Sequence, residues 1–202
     1  MNLPEVRKDL SEADWVSVKV DAVREHAWRK MNRPHRSIRL DSMLDGIAQF
    51  AKDFRGQLAT ETMLLENIND DEQSITSVAE FIRTIHPSVS YLSIPTRPPA
   101  EKWAKAPEEL EINRAYQIFD ANLPNVEYLI GYEGNRFAYT GDIEADILSI
   151  TAVHPMREDA ILTYLEKAKG EFSTIEKLVR EDKLIVLEYD NRHFYLRKLM
   201  MQ

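Results

Sequence analysis

Between Trp15 and Ile130 the chain alternates strand patterns with helix patterns, and this alternation constrains the fold more than any other feature. The first strand, Trp15-Val16-Ser17-Val18-Lys19-Val20, arrives almost at once. Leu40, Met43, Leu44, Ile47, Ala51 and Phe54 then recur at helical spacing, with Gly56 as a stop before a strand over residues 58–65. Asn69-Asp70-Asp71-Glu72 offer side-chain oxygens to the free amides of a helix first turn. The helix they open turns Ile75, Val78, Ala79, Ile82 and Ile85 inward, and His86-Pro87 ends it. A strand over 89–94 follows, then Pro98-Pro99, a helix with Pro107 near its start and Leu110, Ala115, Ile118 and Phe119 inward, and a short strand over 126–130. Strands separated by helices of this length imply parallel pairing through right-handed crossovers, with ligands gathering at the carboxyl ends of the strands. The loops at those ends are 21–35, 66–70 and 95–102.

A second region follows Gly131-Tyr132-Glu133-Gly134-Asn135, a glycine-bearing turn that reads as a boundary. Helices are expected over 143–150, 155–169 and 173–181, the last with Ser173 as cap and Ile175, Leu178 and Val179 inward. Leu184-Ile185-Val186-Leu187-Glu188-Tyr189 and His193-Phe194-Tyr195-Leu196-Arg197 flank Asp190-Asn191, a pair able to take the positive φ of a tight hairpin turn. Three helices followed by a hairpin form a winged-helix arrangement. The expected fold is therefore α/β: three βα units of a partial (β/α) barrel with parallel strands over residues 1–132, then a small winged-helix domain over 133–202.

Charge and composition exclude several classes of function. The formal charge is −8, with 17 Lys/Arg against 25 Asp/Glu in residues 1–153 and nine of each in 154–202. The candidate recognition helix, 173–182, sets Glu176, Glu181 and Asp182 against Lys177 and Arg180. On this reading nucleic acid is not an expected partner, because a phosphate-facing helix should not be net acidic. No apolar run approaches the length of a membrane span and Met1-Asn2-Leu3-Pro4-Glu5 lacks the pattern of a signal peptide, so no membrane role and a cytoplasmic address are expected. The chain contains no cysteine, which excludes disulfides and thiolate-held metal or iron-sulfur sites within it. Six scattered glycines form no phosphate-cradling loop. The histidines, at 26, 35, 86, 154 and 193, show no metal-ligand spacing, and Trp15, Trp28 and Trp103 read as core or interface anchors.

The runs Val16-Ser17-Val18-Lys19-Val20-Asp21-Ala22, Trp28-Arg29-Lys30-Met31-Asn32-Arg33-Pro34-His35 and Glu61-Thr62-Met63-Leu64-Leu65-Glu66-Asn67-Ile68-Asn69-Asp70, in this order, resemble the fourth and fifth strands of a radical S-adenosylmethionine enzyme with their loops. The likeness is to iron-sulfur oxidoreductases related to pyruvate formate-lyase activating enzyme, and it covers roughly residues 3 to 100. The tail resembles the C-terminal extension of that subgroup. The resemblance implies a [4Fe-4S] cluster on a CxxxCxxC loop that reduces S-adenosylmethionine to a 5′-deoxyadenosyl radical. With no cysteine, this chain is expected to hold neither cofactor unaided and to carry no catalytic residue of its own. It then stands as the carboxyl-terminal half of such a protein, or as a family framework without the reaction.

Carried over residue by residue, the resemblance places Lys19 and Asp21 on the strand that meets the methionine and ribose parts of S-adenosylmethionine, and Glu61 and Met63 on the next. A cation suits a carboxylate and an anion suits hydroxyls or an ammonium group. The same Lys19 and Asp21 read equally as a salt-bridged pair on one strand face. Glu61 stands where some activating enzymes have arginine. Asn69 and Asp70 match a loop whose usual Pro-Gly is here Glu66-Asn67, and helix capping accounts for both. Asn32, Arg33 and His35, in a stiff polar stretch at a strand end, and Arg97, near the mouth, are the candidates for the substrate side. If earlier strands are missing, the 15–20 strand presents an open edge. That edge should recruit the missing N-terminal half-barrel, self-associate, or lie under the chain's own segment 3–12. The reading from a different class is a non-enzymatic interaction or regulatory protein that binds protein or nucleic acid through the winged helix.

Overall fold

The computed structural model describes residues 1, 3–129, 139–153, 155–189 and 191–198. The chain divides into two compact units, the first carrying every element through β4 and the second every element from α6 onward. The proposed boundary turn at 131–135 lies outside the described residues.

In the first unit a four-stranded parallel sheet runs in the order β1 (Trp15–Lys19), β2 (Gln57–Met63), β3 (Val89–Ser93), β4 (Val126–Leu129). The crossovers are α3 (Leu40–Asp53), α4 (Glu72–Ile85) and α5 (Glu109–Asn122), each of 14 residues. Val16, Val18, Val20, Leu58, Leu64, Leu92 and Val126 pack in one cluster with Ile47 and Phe50 of α3, Ile75, Val78, Ala79 and Ile82 of α4, and Ala115 and Phe119 of α5. All three helices therefore cover the same face. Because side chains alternate along a strand, the opposite face carries Trp15, Ser17, Lys19, Gln57, Glu61, Met63 and Tyr91, exposed or half-buried, around Ala59, Val89 and Ser93, which are buried. Parallel sheets ordinarily bury both faces; here the helices named pack on one, and among the described residues the sheet is open, with no closed barrel.

Several local expectations give way. The stretch read as loop 21–35 contains α2 (Glu25–Asn32), which turns Ala27 and Trp28 inward onto Ala22 and Leu40. Eight residues give too few turns for periodicity to stand out before Pro34. Leu110 faces solvent at 65% exposure because α5 starts at Glu109 and turns its Ala115–Phe119 stripe inward instead. Trp15 is 51% exposed rather than in the core, whereas Trp28 is buried. Gly56 is no left-handed helix stop: α3 ends at Asp53 with Phe54, already extended, as its cap, and a Cβ on Gly56 would sit 2.5 Å from the Asp14 carbonyl oxygen. The cap of α4 is Asp71, which accepts from the Ser74 backbone N–H at 3.0 Å, while Asn69 is a bridge described below. The segment 3–12 forms α1 (Pro4–Leu10), which buries none of its residues and lies against α3. Among the described residues β1 pairs only with β2.

The second unit holds α6 (Ile143–Val153), β5 (Met156–Arg157), α7 (Glu158–Ala168), α8 (Ser173–Arg180), β6 (Leu184–Tyr189) and β7 (Arg192–Arg197). A small antiparallel sheet orders them β5-β7-β6. The two-residue β5 occupies what the sequence pattern joins to the helix after it. Its core is Ile147, Met156, Ile161, Tyr164, Leu165, Ile175, Leu178, Leu184 and Tyr195. Asp146 accepts from the Tyr164 hydroxyl at 2.7 Å and from the Thr140 backbone N–H at 2.8 Å, tying the start of α6 to α7. Ser173 does not cap α8; Phe172 occupies that position without a side-chain bond. Asn191 takes the expected positive φ, 54°, and Asp190 lies outside the described residues. Among the described residues no helix is long and apolar enough to cross a membrane.

Candidate functional site

The carboxyl ends of β1, β2 and β3 bring a row of polar groups together on the open face. Lys19 and Glu61 are direct register partners, so their side chains leave the sheet side by side. The Lys19 ammonium lies 3.4 Å from Glu61 Oε1 and 3.8 Å from Asp21 Oδ1. From the next strand the Ser93 hydroxyl donates to the same Glu61 oxygen at 3.1 Å. Met63, two residues beyond Glu61, closes the row half-buried. The Lys19 and Glu61 side chains are 44% and 32% exposed, so their pairing contributes at most about 1 kcal/mol and leaves both able to exchange partners.

Asp21 is different. Only 3% exposed, its Oδ1 accepts from the Met63 backbone N–H at 2.9 Å and its Oδ2 from the Asn32 amide at 2.8 Å. Both oxygens are thus engaged inside the protein, fixing Met63 and Asn32, and the 3.8 Å ion pair with Lys19 matches the alternative reading of these two residues as a salt-bridged pair. Burial pushes its carboxyl above the ordinary value, outweighing the lowering by Lys19, the Met63 amide and Asn32. A carboxyl with a raised folded value favours the folded state most at pH below the ordinary carboxylate range, and that contribution is lost as pH rises through the folded value. Asp21→Asn keeps an acceptor for Met63 and removes the buried charge. The stability difference, variant minus parent, is expected to rise from about pH 4 toward neutrality; urea unfolding across that range measures it, and a flat difference would remove the buried charge from the account.

Asn69, 2% exposed, holds this arrangement together. Its amide donates to the Asp21 and Met63 carbonyl oxygens, both at 2.8 Å, and its oxygen accepts from the Leu65 backbone N–H at 2.8 Å. Past Val20, whose N–H reaches the Glu61 carbonyl, the ladder between β1 and β2 ends and Asn69 replaces it. The sequence reading missed this role because a cap and a bridge draw on the same residue type.

Of the other candidates, Asn32 joins the group through Asp21 and lies on α2. Arg33 ends α2 in the left-handed conformation, φ 45°, and pairs with Glu101 at 2.8 Å. Lys30 sits 5.1 Å over the Trp103 ring, and the Glu66 N–H donates to the Lys105 carbonyl at 2.9 Å, so residues 101–105 are tied to both neighbouring loops. His35 is exposed and bonds locally with Ser37. Arg97 is assigned to the other compact unit. The partners of Glu101, Trp103 and Ser93, namely Arg33, Lys30 and Glu61, were not legible beforehand, since only the tertiary fold brings them together. Among the described residues no group of three or more His, Asp or Glu side chains could hold a metal ion.

No family model matches the chain. It is 44% identical over 197 residues to a UPF0026 protein of Methanocaldococcus jannaschii, covering 96% of this chain and 61% of that protein. A UPF0026 protein of Helicobacter pylori strain J99 is 23% identical over 192 residues, 95% of this chain and 60% of that one. The chain thus spans about three fifths of the length of these curated relatives. Among solved structures, a domain of pyruvate-formate lyase-activating enzyme from Bacteroides vulgatus superposes with a TM-score of 0.51 at 18% identity, covering 63% of this chain and 74% of that domain. The four parallel strands with their helices are accordingly similar in fold to that domain.

Proposed function

We propose that the chain serves as the carboxyl-terminal portion of a radical S-adenosylmethionine protein and contributes part of the binding surface for S-adenosylmethionine. The observation that carries this reading is the polar row Lys19–Glu61–Ser93, with Met63, at the strand ends of a parallel sheet whose second face leaves Trp15, Ser17 and Lys19 of β1 exposed. The donor set fits the amino-acid end of that cofactor: Lys19 suits its carboxylate and Glu61 its ammonium group, with Asp21 and Asn69 fixing the strand ends from which both project. The cluster does not fit these 202 residues, which offer no thiolate, and no chemistry of a cluster is assigned to them. In the whole protein the cofactor would supply a 5′-deoxyadenosyl radical. The cysteine-bearing portion would then dock along the free edge of β1 and cover the exposed Trp15, Ser17 and Lys19.

Isothermal titration of S-adenosylmethionine tests the reading. The chain is expected to bind weakly but saturably, and Lys19→Met with Glu61→Gln to weaken binding by at least about tenfold, roughly 1.4 kcal/mol. Binding that is absent, or indifferent to both substitutions, counts against the site. The second unit supports a second reading. The order α6-β5-α7-α8-β6-β7 with sheet order β5-β7-β6 supports reading this unit as a winged helix, which would suit a non-enzymatic role in recognising protein or nucleic acid. A chain indifferent to S-adenosylmethionine but retained by a macromolecular partner through α8 would favour it.

A further inference from the structure

The charge of −8 conceals a local reversal. Residues 24–39 contain six Arg/Lys, namely Arg24, Arg29, Lys30, Arg33, Arg36 and Arg39, against the single acid Glu25. The structure orders this segment as α2 and the turn after it. On α2 the buried side is Ala27 and Trp28, so His26, Arg29, Lys30 and Arg33, at spacings i, i+3, i+4 and i+7, share the outward side and are all exposed. His35, Arg36 and Arg39 continue the exposed surface beyond the helix. Four acids stand near these cations: Glu25 by Arg29, Glu101 by Arg33, Asp71 by Arg24 and Asp41 by Arg39. Each such exposed pair contributes at most about 1 kcal/mol and yields to a stronger anion. Two guanidinium or ammonium groups lie over indole rings, Arg29 on Trp28 at 5.4 Å and Lys30 on Trp103 at 5.1 Å. These contacts hold the charges on a fixed surface instead of letting the long side chains wander.

We infer that the outward side of α2 and the following turn bind the phosphate backbone of a nucleic-acid strand. Five of the six cations are arginines, whose planar forks match phosphate bidentately. Their run along a helix and turn suits a linear array of charges rather than one small anion. Contact is confined to this segment, because the remaining surface of an acidic chain repels a polyanion. Asn32 roots the same helix on Asp21, so a bound strand would pass the carboxyl ends of β1 and β2. This inference does not depend on S-adenosylmethionine binding.

The test is fluorescence anisotropy with a labelled oligoribonucleotide of about 20 nucleotides, repeated across a salt series. Binding should follow log[salt] with a slope of about −2 to −4, corresponding to roughly three to five phosphates. Arg29→Glu with Lys30→Glu is expected to weaken it at least about tenfold, and Arg36→Glu, outside any helix, to weaken it several-fold without a risk to folding. Lys52→Glu, on α3, should leave it unchanged. Absence of binding at low salt, equal loss with Lys52→Glu, or equally effective competition by polyglutamate of matched charge would overturn the inference, the last assigning the surface to an acidic protein.

Discussion

Replacing Asn69 with alanine is expected to destabilise the α/β unit by about 3–5 kcal/mol. The substitution orphans three buried backbone groups at once, the Leu65 N–H and the carbonyls of Asp21 and Met63, where water cannot replace the lost partner without opening the strand ends. The companion substitution Asn69→Asp separates this role from helix capping. At a cap, asparagine and aspartate are nearly equivalent. Here aspartate keeps an acceptor for Leu65 but turns an anionic oxygen toward two carbonyls, so it should cost as much as alanine or more. Urea unfolding of the three proteins checks both statements, and a near-neutral Asn69→Asp would return the residue to the capping account.

Removing the Trp28 side chain should cost a similar amount, about 3–5 kcal/mol, through loss of a large buried side chain and the cavity it leaves. Its indole is 3% exposed and packs with Ala22, Ala27 and Leu40, the contact that holds α2 against α3 and the residues following β1. An eight-residue helix cannot persist without such packing. In Trp28→Ala the segment 25–32 is therefore expected to open locally, taking Asn32 from Asp21 and dispersing the cations of α2. Hydrogen exchange reads this directly: amides of α2 should lose protection while those of β2 keep it. Protection of α2 equal to that of the parent protein would show that other contacts hold the helix.

Most elements of the α/β unit were legible because each long helix buries one stripe and each strand is short, apolar and bounded. The stripes Ile75–Ile82 and Ala115–Phe119 lie where periodicity puts them. Leu110 misled because a leucine at a helix start counts toward the pattern even when that first turn lies beyond the sheet's cover. The helix α2 was obscured by its brevity, and the two-residue β5 by the absence of any period to read. At the site, alternation along the strands placed Lys19 and Glu61 on one face, and the register made them neighbours. Asp21 was named with them as a ligand-facing carboxylate. Sequence cannot reveal that α2 folds over it and that Met63 and Asn32 take up both of its oxygens.

The sequence by itself determined the order of strands and helices, the absence of any thiolate, and the identity of the cations crowded into residues 24–39. Those properties are local: they follow from side-chain spacing and composition within a few turns of chain. Only the tertiary structure decided that the three crossover helices lie on one face, that Asn69 bridges β1 and β2, and that the charges of α2 share one outward side. Such outcomes depend on contacts between residues some 10 to 50 positions apart, as in the 48-residue span from Asp21 to Asn69. No short-range pattern encodes them, because a buried amide chooses its partners from whatever backbone groups the packed core brings within reach.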